Sequence, residues 1–73
     1  MKDEKILIGV GKRIKQKRIE KGFTQIEFAK RVGYTSKGMI SLIENGKRDI
    51  STSKYIRIAN TLGVSVDCLL GLE

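Results

Sequence analysis

Seventy-three residues, 40% hydrophobic and 32% charged, suit one small folded domain over 1–73, whose core supplies only about 3 to 5 kcal/mol of net stability. With no histidine and a single cysteine, Cys68, the chain lacks the usual zinc ligand and general base and cannot close an internal disulfide; no catalysis, metal, cofactor or small-molecule ligand is expected. The formal charge of +7 divides into +5 for residues 1–23, +2 for 24–50 and 0 for 51–73, which suits a polyanion on one side and self-association on the other, although basic runs also serve as solvated helix faces.

The apolar stretch near the start, "ILIGVG", is too short for a membrane span or a cleaved signal, so no membrane contact is expected and the location reads as cytoplasmic. Ile6, Val10 and Ile14 lie four apart and predict the buried stripe of a first helix that stops at Gly22. The next boundary is sharper. In "FTQIEF", Thr24 and Glu27 have the spacing of a capping box, and Phe23 and Phe28 that of a hydrophobic staple. The second helix then presents Phe28, Ala29 and Val32 inward and stops at Gly33.

Thr35 or Ser36 can cap a third helix, buried through Ser36, Met39, Ile40 and Ile43 and ended at Gly46; Lys37, Gly38, Ser41 and Leu42 lie on its outer side. A fourth helix starts in "STS" and buries Ile56, Ala59 and Leu62 before Gly63. Ser65 caps a last short helix with Asp67 near its positive end, Val64 and Leu69 as a second staple, and Gly71 after it. No alternating run suggests a strand, so the chain reads as all-α. Two short helices joined by a tight glycine-containing turn fit a helix-turn-helix whose second member enters a groove, with a plain helical bundle that uses the same junction for packing as the alternative.

The runs "RIKQKRIEKGFTQIEFAKRVG", "ISLIENGKR" and "IRIANTLGVSVDCLLG" resemble the Cro/C1-type, Xre-like helix-turn-helix regulators over about residues 11–71. The resemblance implies a five-helix, lambda-repressor-like fold and sequence-specific binding to double-stranded DNA, as a dimer that controls transcription, more commonly by repression. It implies base readout by Ser36, Lys37, Gly38, Ser41 and Leu42, and phosphate contacts from Thr24, Gln25, Asn45, Lys47 and Arg48. Thr24 as a simple cap, and Lys47 and Arg48 as solvated loop charges, remain open. Arg18 and Glu44 match an internal ion pair of the family.

Gly38 and Leu42 depart from the polar residues that relatives carry there. A glycine within a helix costs about 0.8 to 1.0 kcal/mol relative to alanine, which close approach of backbone to DNA would justify. Leu42 can meet a thymine methyl or be an ordinary exposed leucine. Val66, Leu69, Leu70 and Leu72 are candidates for a homodimer contact, with the core as the alternative for Leu69, and Cys68 is a small packed or interface residue. An antitoxin-type module that binds its own promoter, and an RNA-binding or scaffolding fold, are the other readings.

Overall fold

A computed structural model describes residues 3–72. They form α1 (Glu4–Glu20), α2 (Gln25–Val32), α3 (Lys37–Glu44), α4 (Thr52–Leu62) and α5 (Val66–Leu70), with no strand among the described residues. Local chemistry sets the boundaries. Asp3, Thr24, Ser51 and Ser65 each accept a backbone N–H at the start of a helix through a side-chain oxygen, whereas Ser36 precedes α3 without such a bond. After α1, Gly22 N–H bonds to Ile19 O at 2.9 Å and Phe23 N–H to Arg18 O at 3.1 Å, and the same paired bonds close the other four helices.

One cluster of buried side chains draws on every helix: Val10 and Ile14; Phe28, Ala29 and Val32; Ile40 and Ile43; Ile58, Ala59 and Leu62; and Leu69. Met39, expected in the core, is half-buried against the cluster, and three further expected core positions face solvent. Ile6 is 56% exposed, because steps of four residues drift about 40° around a helix and the inward face of α1 passes through Leu7, Val10, Gly11, Ile14 and Arg18 instead. Ile56 is 49% exposed and Ile58 fully buried, since steps of three drift the opposite way and leave Ile58, Ala59 and Leu62 as the inward face. Ser36 is exposed, being the residue before α3 and not part of its stripe.

Leu69 also departs from its assignment to a dimer surface. It is 0% exposed within the single chain, since as the fourth residue of α5 it turns under the cap and packs with the core. Cations hold the fourth helix against the second. Lys54 Nζ donates to Val32 O at 3.0 Å and Arg57 Nε to Arg31 O at 3.4 Å, so two positive charges sit at the negative end of α2. Arg13 does the same for α5, donating to Leu69 O at 3.3 Å.

The crossing of α1 with α3 is close, and it rests on two glycines. A Cβ on Gly11 would lie 2.6 Å from Glu44 O and nearer still to Ile43 O, and one on Gly46 would lie 2.7 Å from Ile8 Cα. Both obstacles are backbone, which cannot rotate away. Gly9, two positions earlier in α1, would meet only the guanidinium of Arg13, at 3.4 Å. Gly11→Ala should therefore lose about 1 to 3 kcal/mol through overpacking, while Gly9→Ala should stay within about 1 kcal/mol of the parent, on the stable side, through its better helix propensity. Urea midpoints read the difference; coincident midpoints for the two variants would disprove the tight crossing.

Candidate nucleic-acid interface

The junction that aims α2 is built from side chains within nine positions of one another. Thr24 Oγ1 accepts Glu27 N–H at 3.1 Å while Glu27 Oε1 accepts Thr24 N–H at 2.9 Å. The bond from the Thr24 backbone holds the Glu27 carboxyl below its ordinary value, helped by the Thr24 hydroxyl. Phe23 stacks on Phe28 with ring centroids 6.2 Å apart, and the Arg31 guanidinium lies 4.8 Å from the centre of the Phe23 ring. The N–H groups of Gln25 and Ile26 are left without an acceptor inside α2, pointing out of its first turn.

Beneath that turn, one carboxylate joins three helices. Arg18 Nε donates to Glu44 Oε2 at 2.6 Å and Arg18 Nη2 to Glu44 Oε1 at 3.3 Å, so the guanidinium of α1 grips the last residue of α3 with two bonds. Gln25 Nε2 reaches the same Oε1 at 3.1 Å from the first turn of α2, and Arg18 Nη1 donates to Phe23 O at 2.7 Å. The two charged side chains are only 9% and 2% exposed. The carboxylate thereby fixes where α2 begins relative to where α3 ends. The bond from Gln25 to Glu44 is a task that the sequence does not reveal, because it depends on a contact across 19 positions.

Ser36, Lys37 and Gly38 stand exposed at the start of α3, and Leu42 is 43% exposed one turn on. Lys37 makes no hydrogen bond or ion pair among the described residues. Ser41 is half-buried and receives the Asn45 amide at 3.4 Å. Gly38 has open space: a Cβ there would meet only Ser36 Oγ, at 3.6 Å, and its φ is not positive. Nothing inside the chain demands glycine, and the second helical position asks less of it than a helix interior would.

Thr24 is exposed with its hydroxyl occupied by the cap; Gln25 is half-buried, with one of its two amide N–H groups on Glu44. Asn45, Lys47 and Arg48 are exposed in the loop that leaves α3. Tyr34, absent from the residues singled out in the sequence, lies in the turn between α2 and α3. Its ring has Lys54 Nζ 4.4 Å from its centre, and burial pushes its phenol up against the pull of Arg48, so the hydroxyl keeps its proton. Its signal in the sequence was an aromatic in a turn otherwise made of small residues.

An exposed short helix, held from behind by its predecessor and followed by a cationic loop, defines a DNA-binding helix-turn-helix. The chain matches the profile of the helix-turn-helix family over residues 14–67 and belongs to it, in its Cro/C1-type, Xre-like branch. Among solved structures it is similar to SinR, a master regulator of biofilm formation solved in complex with DNA, at 39% identity and a TM-score of 0.75 over 84% of this chain and 97% of that one. It is also similar to the clp gene regulator ClgR from Corynebacterium glutamicum, at 27% and 0.84 over 92% and 70%. The restriction-modification controller C.AhdI from Aeromonas hydrophila shares the fold, at 24% identity and a TM-score of 0.82 over 90% and 94%. These neighbours are regulators by name, and no helix among the described residues is long and apolar enough to cross a membrane.

Glu44→Ala strands the Arg18 guanidinium and the Gln25 amide, a loss of about 3 to 5 kcal/mol that is comparable with the whole stability of so small a domain. Lys37→Ala, on the free outer face, should change stability by less than about 0.5 kcal/mol. Thermal melts should separate them widely, and equal midpoints would show that the pair does not hold the helices.

Proposed function

We propose that this chain represses transcription by binding, as a homodimer, a near-palindromic operator in duplex DNA, with α3 in the major groove. The observation that carries this is the outer face of α3: Ser36, Lys37, Gly38 and Leu42 are solvent-facing at the end of a helix whose back is locked by Glu44. Lys37 donates to guanine O6 or N7, Ser36 and Ser41 serve base or phosphate, and Leu42 covers a thymine methyl. Gly38, with no internal need for its missing side chain, lets the helix backbone approach the bases.

Gln25 offers its second amide N–H to a phosphate beside the free N–H groups of the first turn of α2, and Asn45, Lys47 and Arg48 take phosphates from the loop after α3. Thr24, the cap beside Gln25, lies against the same DNA strand. A two-fold dimer places its two α3 helices about 34 Å apart, one turn of DNA. Its contact uses Val66, Leu70 and Leu72, with Ile6 as an addition. Ile6 and Leu70 line one shallow cavity with Lys5, Gly9 and Arg13, and Leu72 is 72% exposed.

Selection of bound sequences from random duplexes should give one preferred site for the parent. Lys37→Ala should relax it at one or two base pairs, and Gly38→Ala should weaken binding while raising stability by about 0.5 to 1 kcal/mol at most. Lys47→Ala should weaken all sequences alike and flatten the salt dependence by about one unit. An unchanged preferred site for Lys37→Ala would rule out its reader role. For the dimer, sedimentation should give the mass of two chains for the parent and of one for the Ile6→Asp, Leu72→Asp double variant; a parent that sediments as a single chain would refute the contact.

A further inference from the structure

A half-open cavity of about 310 Å³ lies between α2 and the start of α3, lined by Ile26, Ala29, Lys30, Thr35, Ser36 and Lys37. Its surface is mostly apolar. Ile26 forms one wall and is 53% exposed, although the second position of a helix is a site where a polar or acidic residue would serve the helix better. A lone exposed isoleucine is ordinary. This one stands across a notch from two of the residues assigned to base readout, Ser36 and Lys37, and directly follows Gln25, assigned to phosphate.

Charge narrows what can enter. Lys30 and Lys37 supply the charge of the lining, and no acidic residue contributes to it, so the fitting occupant is an apolar group carried on a polyanion. In the major groove the one apolar group on a base edge is the 5-methyl of thymine. We propose that this notch receives a thymine methyl, which makes Ile26 a specificity-determining residue of the DNA contact. The proposal rests on the assignment of α3 as the reading helix. It adds a residue of α2 to the readout, so that the base preference is set by both members of the helix-turn-helix and not by α3 alone. Ser36 and Lys37 engage neighbouring bases at one side of the notch while Ile26 and the methylenes of Lys30 close over the methyl from the other.

The experiment takes the duplex that the parent selects and replaces its thymines singly by deoxyuridine, which removes the methyl and leaves the pairing intact. Binding is measured for the parent, Ile26→Val and Ile26→Ala. At one thymine per half-site the parent should lose about fourfold in affinity, the change that burying one methyl corresponds to. Ile26→Val should keep most of that loss and Ile26→Ala should show almost none, while both bind the deoxyuridine duplex about as well as the parent does. Equal losses in parent and Ile26→Ala at every thymine would overturn the notch and leave base reading by α3 standing. A selection that yields no preferred duplex would overturn the reading helix and the notch together. Circular dichroism melts of the variants, expected to match the parent because Ile26 is a surface residue, exclude misfolding as the cause.

Discussion

The position of every exposed group on α3 depends on a carboxylate almost wholly buried between helices. Glu44 ends α3, and its two oxygens accept from Arg18 on α1 and Gln25 on α2. An unpaired charge so buried would be expensive, and a paired one often contributes little net stability. What the pair supplies is geometry: three helices share one planar group, and a rotation of any of them breaks a bond that water cannot replace. The guanidinium adds a bond to Phe23 O, which ties in the turn where α2 begins. The close approach of α1 over the end of α3, allowed by Gly11, brings the two charged groups within reach.

From that lock the electrostatics divide into two kinds of cation. Lys54, Arg57 and Arg13 are engaged inside the chain, each donating to a carbonyl at or near the end of a helix, where the helix dipole favours a positive charge. Lys37, Lys47 and Arg48 lie exposed on or just after α3. The neutral last third of the sequence therefore spends its two basic residues on holding α2. The remaining exposed cations are not confined to the locked helix: Lys5, Lys12, Lys15 and Lys21 face solvent on or just after α1, and Lys30 and Arg31 on α2.

Much of this was legible in the sequence. The capping box of Thr24 and Glu27, the stacked Phe23 and Phe28, and the glycines after each helix all follow from residues a few positions apart, and short-range chemistry of that kind survives in a linear pattern. The pairing of Arg18 with Glu44 spans 26 positions; no spacing encodes it, and it entered only through resemblance to a family. The free outer face of α3 was foreseen because its buried side, Ile40 and Ile43, was clear.

What remained for the tertiary structure were the choices that depend on which neighbour lies where. Leu7 rather than Ile6, and Ile58 rather than Ile56, face inward because a few tens of degrees of rotation per turn accumulate along a helix, and only a packed partner says which side is the inside. Leu69 left the surface for the core by the same rule. Gly11 looked like any helix glycine until the carbonyls of α3 came to lie against it, and the half-committed amide of Gln25 and the notch beside Ile26 exist only between helices. The sequence by itself determined where the helices start and stop, since caps and stops are local; their rotation and spacing, which aim the interface, were decided by contacts between residues far apart in the chain.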